Sequence, residues 1–478
     1  MTREQPEQAG RPGPRDAGTD SAESVDRTGG GTAPGTVGAP ADAASGILGG
    51  PATEERIGTR EAARRLGVKP ETLYAYVSRG LLDSRRAQGG RGSTFDPEQV
   101  AALARRGRPA AQPDPAAGSG PGAAPGGGIT EGWGRLRTGI TLIDSDRYFF
   151  RGVDAVGLAG AYGYEEVAEW LWTGVLRPGT RFTAAPAPLA AARTVAAALP
   201  AGSGPMDRLR VAVAAAASAD PLRFDLSGPA VLGTARSLIA TLVDALPPVG
   251  RPHEGDGPLA LRLWPKLTAA PAGEAALRVL DTALSLLIDH DLAASTLAAR
   301  VAASARAHPY AVVSAGLGAL DGPLHGQASA LAHRMLAEVA AQGGAGPVVA
   351  EYLRAGQRVP GLGHRLYRGE DPRARTLFAV LDEVPAAASA LGAARDVVAT
   401  TAARHRDLHA NVDLALGVLS VSHGMPAQAG ETVFSVARTA GWIAHALEEY
   451  AEPPLRMRLI GAYTGPRPGR PLPRAGQD

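Results

Sequence analysis

The chain has 478 residues, of which 45% are hydrophobic and only 5% aromatic, and its formal net charge is +2. That length allows two or three packed units with a large core, and the near balance of charge gives no global field to draw the whole molecule to nucleic acid or a membrane surface. With no cysteine anywhere, disulfides, Cys-ligated zinc, iron–sulfur clusters and thiol nucleophiles are all excluded, which fits a cytoplasmic protein.

In chain order, residues 1–55 are rich in Gly, Ala, Pro, Thr, Asp and Glu without an apolar period, and are expected to be disordered. The first ten residues hold no apolar signal core, and no uninterrupted apolar run reaches the ~18 residues a span requires, so neither export nor membrane insertion is expected. Periodicity returns over 56–106. Thr59 is a plausible cap for REAARRLG, Gly67 a stop, and a second helix is expected from Pro70 to Gly80. Ala62, Ala63, Leu66, Leu73 and Val77 supply a shared apolar face. The stretch RRAQGGRGSTF suggests a hairpin, after which Asp96 caps a third helix with Pro97 at its first position.

This module carries 11 Lys/Arg against 5 Asp/Glu, with Arg85, Arg86 and Arg91 clustered on the expected wing, a local patch a phosphate backbone would attract. A Pro/Gly/Ala linker covers 107–128. From Ile129 helical apolar patterns alternate with short turns to about residue 465, and a Pro-rich tail occupies 466–478.

All ten histidines lie between His253 and His445. His325 sits in DGPLHGQAS, where Gly326 frees the backbone to turn beside the imidazole. His364 follows the tight turn VPGLG and precedes Arg365, Arg368, Arg373 and Arg375, whose guanidinium forks suit carboxylates and phosphates; a solvated basic loop has the same composition. Asp413, in HANVDLALG, reads equally as part of a helix cap with Asn411. His290 in LIDHDLAAST has acids on both sides that would keep it charged or orient it. Arg438 interrupts an apolar helix, so its charge must find an anion, either a structural ion pair or a ligand. His405 and His409 have the i, i+4 spacing of a two-histidine metal site, but no Glu between them and no evident third ligand. The GSGPG and GLGALDG runs lack the strand–helix context of a phosphate loop.

Taken together and in order, these segments resemble the citrate synthase family across about 129–465. DHDLAAST is similar to that family's DHELNAST, GPLHGQAS to GPLHGGAN, GLGHRLYRGEDPRAR to GFGHRVYxxxDPRAK, and NVDLALG to NVDFYSG; FFRGVDAVGLA, ARTAGWIAHALE and AYTG extend the series. The small basic module resembles the winged helix–turn–helix domains of the MerR and excisionase type through EAARRLGVKPETLYAYVSRGLL. That likeness implies a recognition helix presenting Lys69, Thr72, Tyr74 and Arg79 to the major groove.

The family resemblance implies an all-α enzyme with a large helical domain and a smaller one of about 325–424, preceded by the winged-helix module, that condenses acetyl-CoA with oxaloacetate to citrate and CoA without metal or redox cofactor. It assigns Asp413 as the base at the acetyl methyl group, His325 as donor to the thioester oxygen and His364 as acid at the keto carbonyl. It assigns oxaloacetate binding to His290, Arg373, Arg438 and Arg458, with Arg456 as the competitor for the last position, and a CoA phosphate contact to Arg368. It also implies a homodimer in which the arginine matched by Arg458 reaches the partner's site. Departures from the pattern, such as Asp291, Ala293, Gln327, Ser329 and Leu414–Leu416, remove no reacting group and bear instead on acyl-chain or keto-acid choice. Propionyl-CoA as the acyl donor, or a DNA-binding regulator with a ligand-sensing body, are the alternatives.

Overall fold

A computed structural model describes residues 56–66, 68, 73, 77, 82–86, 93–107, 136–253, 255–322, 325–458 and 463–465. The chain divides into two units, one up to Gly126 and one from Gly127.

In the first unit the strand Ile57–Gly58 leads into the helix Thr59–Leu66, followed by the strands Ser84–Arg86 and Ser93–Phe95 and the helix Pro97–Gly107. Ser93–Phe95 is the central strand, pairing antiparallel with both others, so that Phe95 lies opposite Ile57 and Ser84. Ala62, Ala63, Leu73, Leu82, Phe95 and Val100 form a small buried core with Leu66 and Val77 packed on it, as the apolar pattern requires. Asp96 caps the last helix through the Glu98 N–H at 2.7 Å. Thr59 does not cap the first: it is that helix's first residue, and its hydroxyl donates to the Ser93 carbonyl at 3.1 Å, tying helix to sheet. Leu73 and Val77 are helical, in the position expected for the second helix. Lys69, Thr72, Tyr74, Arg79 and Arg91, together with residues 1–55, the linker beyond Gly107 and the tail 466–478, lie outside the described residues.

The second unit is helical, with 15 α-helices among its described residues. It opens differently from the expected helical pattern, on an antiparallel meander of Thr141–Asp144, Arg147–Phe150 and Val153–Asp154. The alternation in RYFF explains it, since Tyr148 and Phe150 are buried while Arg147 faces out and Ser145 takes the turn at φ 57°. At the centre runs the helix Ala429–Ala451, with buried residues on every side, the mark of a helix enclosed by others rather than laid on a surface. Small residues set its neighbours' distance. A Cβ on Gly316 would meet the Trp442 ring at 2.6 Å, and one on Gly441 would collide with the Ile288 carbonyl, so the central helix lies directly against the turn that carries Asp289 and His290. No single helix among the described residues is long and apolar enough to cross a membrane.

Candidate active site

The turn after the helix Glu274–Leu287 places Asp289 and His290 in the interior, 0% and 6% exposed. Asp289 does not engage His290. Its carboxylate accepts from the Thr141 hydroxyl and from His445 Nε2 at 3.2 Å, while His445 Nδ1 accepts from Arg300, which is itself paired with Glu448 and Glu449. This buried chain anchors the turn. Burial, reinforced by Arg373, His364 and Arg438, holds the His290 imidazole well below the usual histidine range. The expectation that flanking acids keep it charged is therefore corrected: Asp289 is spent on His445, and His290 is neutral. Its orientation comes instead from Tyr367, whose hydroxyl lies 2.6 Å from Nε2.

His364 stands on a loop shaped by Gly361 and Gly363, at φ 77° and 79°. A Cβ at Gly361 would strike Leu414 at 2.7 Å, so glycine is required both by conformation and by space. Asn411 staples the loop, its amide donating to the Gly363 carbonyl at 2.8 Å and its backbone N–H to Gly361 at 2.9 Å. The Leu366 N–H donates to His364 Nδ1 at 3.0 Å, which leaves the ring hydrogen on Nε2. There it faces Arg373 Nη2 at 3.2 Å. Two N–H groups thus converge on one point, and an acceptor oxygen placed between them would satisfy both.

Arg373 is 3% exposed and is gripped by Asp371, the cap of the helix Pro372–Leu381. Arg438, 1% exposed, has no such partner. Its Nε donates to the Leu287 carbonyl at 2.8 Å and its guanidinium lies 4.4 Å from the centre of the Phe434 ring, but no carboxylate pairs with it among the described residues. Burial pushes its pKa down to about 10. The direct ion pair that would explain a mid-helix arginine is missing: the Asp289 carboxylate acts on Arg438 only through its field, and a buried guanidinium without a bonded carboxylate is a receptor for an anion.

His325 lies at the turn before the helix Ala328–Gln342, where a Cβ on Gly326 would meet the Leu320 carbonyl. Its Nε2 is 2.8 Å from the Ser295 hydroxyl and its ring packs edge-on against Phe434. Burial, with Arg438 adding to it, lowers its pKa to about 4. Asp413 is not the cap of its helix. Asn411 is, accepting from the Asp413 N–H at 3.0 Å, which frees the Asp413 carboxyl; no donor bonds it among the described residues. Burial pushes that carboxyl up to about 6 against the lowering pull of Arg373, with Asp371 assisting the rise.

His290, His364, Arg373, Arg438, His325 and Asp413 thus form one connected group, linked by the His290–His364 ring contact, the close approach of His364 to Arg373 and mutual fields. Arg368 and Arg365 are exposed on the loop beside it. Arg458 is exposed and outside the group, and Arg456 is engaged by Glu449 at 2.5 and 2.8 Å. Arg85 and Arg86 are exposed on their strand in the first unit. No group of three metal-ligating side chains exists among the described residues, His405 and His409 included. Four contributors were not singled out from the sequence: Asp371, Ser295, Tyr367 and Phe434. Asp371 had a signal, since DPR is an acid capping a proline-led helix next to an arginine.

Fold and site together define a helical protein built around a buried, histidine- and arginine-lined anion site with an elevated carboxyl beside it. The model of the citrate synthase C-terminal domain matches residues 129–460, and the chain belongs to the citrate synthase family. The MerR helix–turn–helix family model matches residues 59–105. The chain is 32% identical over 351 residues to a citrate synthase of Haloferax volcanii, covering 68% of this chain and 92% of that one. It is 35% identical over 198 residues to a citrate synthase of Dictyostelium discoideum, spanning 39% of its length, and it spans half or less of the first curated relatives it matches. The crystal structure of citrate synthase from Thermotoga maritima superposes with a TM-score of 0.59 at 26% identity, over 73% of this chain and 98% of the other.

Proposed function

We propose that the second unit condenses acetyl-CoA with oxaloacetate to give citrate and CoA, the opening step of the tricarboxylic acid cycle. The observation that carries it is Arg438, a buried guanidinium with no carboxylate bonded to it among the described residues, whose field reaches His290 and a second buried arginine, Arg373. A dicarboxylic keto acid supplies the missing anion and the missing acceptor at once: one carboxylate for Arg438, and oxygen between His364 Nε2 and Arg373.

Asp413, with a pKa of about 6, is ionised at neutral pH yet poorly solvated, as a base for a weak carbon acid needs to be. It takes a proton from the acyl methyl group while His325 donates a hydrogen bond to the thioester oxygen as negative charge gathers there. The resulting nucleophilic carbon attacks the keto carbon, and His364 protonates the alkoxide to give citryl-CoA. Water then cleaves the thioester, releasing CoA. Condensation leaves Asp413 protonated and His364 short of the proton it gave. Water then supplies hydroxide to the acyl carbon and a proton to the departing CoA thiolate, and proton exchange from Asp413 restores His364, so that acetyl-CoA, oxaloacetate and water become citrate, CoA and one released proton. Arg368, exposed on the His364 loop, is assigned the CoA phosphates, for which a solvent-facing guanidinium is suited.

Arg458 stands outside the group within one chain, which suits a homodimer in which it completes the partner's site. Absence of cysteine supports a cytoplasmic setting. The decisive assay is thiol release from acetyl-CoA or propionyl-CoA with oxaloacetate, using Asp413→Ala as control. CoA above that control with acetyl-CoA preferred supports the reading, propionyl-CoA preference assigns 2-methylcitrate synthesis, and no release with either overturns it.

For the first unit we infer DNA binding, supported by the MerR model match and the exposed Arg85 and Arg86. Combined Arg85/Arg86/Arg91→Ala should weaken DNA binding and flatten its salt dependence by about 2–3 in log–log slope, as loss of three phosphate contacts predicts; an unchanged slope sinks the inference.

A further inference from the structure

Tyr367 takes no part in the proton transfers and anion contacts proposed above, yet it packs against both histidines of the keto-acid site. Its hydroxyl is 2.6 Å from His290 Nε2, its ring centre is 4.8 Å from that of His364 and 5.4 Å from that of His290, and it is 5% exposed. No other hydrogen-bond partner of the hydroxyl is found among the described residues. The two histidines come from distant parts of the chain, one from the turn after Glu274–Leu287 and the other from the loop before Pro372–Leu381, and Tyr367 belongs to that loop.

We propose that Tyr367 is a positioning residue, whose hydroxyl donates to His290 Nε2 and thereby locks His290 in its Nδ1–H form and fixes the His364 ring against which the phenol packs. The direction of donation follows from the partners. A buried phenol holds its proton, and the neutral imidazole offers one acceptor nitrogen. The same loop supplies a donor to each ring: the Leu366 N–H to His364 Nδ1, and the Tyr367 hydroxyl to His290 Nε2. Both tautomers are thus set by two adjacent residues, so that His364 presents Nε2–H to the substrate carbonyl without waiting for the substrate to select it. The groups that face His290 from other elements are the Tyr148 ring, Arg373, His364 and Arg438. None of them hydrogen-bonds Nε2, and the cationic ones disfavour its protonation.

This rests on the condensation reading, and two measurements separate the failures. In Tyr367→Phe, which keeps the ring, KM for oxaloacetate should rise about 10-fold, the worth of one buried hydrogen bond, while KM for the acyl-CoA stays as in wild type. His290→Gln alone and combined with Tyr367→Phe should be strongly non-additive, because each removes the same bond. Independently of turnover, histidine-selective nitrogen NMR of the substrate-free protein should show a hydrogen-bonded, non-titrating Nε2 acceptor on His290 that shifts in Tyr367→Phe, His290→Gln supplying the assignment. An unchanged oxaloacetate KM together with an unchanged His290 signal overturns the proposal. If wild type releases no CoA but the NMR signal behaves as stated, the condensation reading falls and the Tyr367–His290 tautomer lock stands.

Discussion

Asp371 and Arg373 form a bidentate pair inside the protein, Nε to Oδ1 at 3.0 Å and Nη2 to Oδ2 at 2.8 Å, with the Arg373 backbone N–H also on Oδ1 at 3.0 Å and the Val412 N–H as a second donor to Oδ2 at 3.1 Å. The acid is two residues from the arginine it holds, on the first turn of the same helix, and it reaches across to the start of the helix carrying Asp413. One carboxylate therefore aligns a substrate-facing guanidinium and the approach of the carboxyl group opposite.

Replacing Asp371 by Asn should cost about 3–5 kcal/mol, because it leaves a buried guanidinium without its counter-charge. The pH dependence has a definite sign. Arg373 holds the Asp371 carboxyl below the ordinary range, so the pair's contribution is present above pH ~4, the unfolded value, and is lost as pH falls through the folded one. Urea midpoints of wild type and variant should differ widely at pH 7 and converge in acid. Equal midpoints at pH 7 would show that the pair is not stabilising.

Arg438 should behave in the opposite way on stability. No carboxylate is bonded to it and Asp289 acts on it only at a distance, so Arg438→Met removes a costly buried charge and should leave the melting temperature unchanged or higher. Oxaloacetate affinity should fall about 100-fold, in line with ~3 kcal/mol for a desolvated charge-assisted contact. A variant that melts earlier would mean that Arg438 is a structural residue.

Much of this site was legible in the sequence, and what was hidden has a common physical cause. His325, His364, Asp413, Arg373 and Arg438 stand beside glycine turns or inside apolar helices, where a polar side chain is conspicuous. Ser295 and Tyr367 are ordinary for their segments and acquire meaning only through partners 30 and 77 residues away. The acids beside His290 misled for the same reason, since local spacing cannot reveal that Asp289 turns to His445, 156 residues on. The meander at 141–154 was missed because short strands of four and two residues carry too few alternations to stand out among helical patterns.

The carboxyl of Asp413 makes activity pH-dependent from below. With its pKa pushed up to about 6, kcat/KM for the acyl-CoA should fall roughly tenfold per pH unit under that value, as a base that must be ionised requires. A raised acid pKa also means that the folded state binds the proton more tightly than the unfolded one. Asp413 thus lowers stability progressively as pH rises from about 4 through 6. Asp413→Asn should be inactive but more stable by ~1–2 kcal/mol at pH 8, a gain that vanishes near pH 4; the figure allows for partial solvent access. A variant less stable than wild type at pH 8 would contradict the buried, unbonded carboxyl described above.

Ser295 offers the sharpest separation of orientation from binding. It is fully buried, and its hydroxyl at 2.8 Å from His325 Nε2 is the hydrogen bond that sets which nitrogen of a neutral ring carries the hydrogen. With the serine as donor, the role the proposed chemistry requires, that hydrogen sits on Nδ1 and is free for the thioester oxygen. Ser295→Ala leaves the ring's packing on Phe434 in place but lets both tautomers and small rotations compete. Since the lost interaction matters most when charge develops on the thioester oxygen, kcat should drop about tenfold, while KM for either substrate changes little. Steady-state kinetics at saturating oxaloacetate with varied acyl-CoA distinguish the outcomes. A rise in acyl-CoA KM at constant kcat would make Ser295 part of ground-state binding instead, and would remove His325 from the charge-stabilising role.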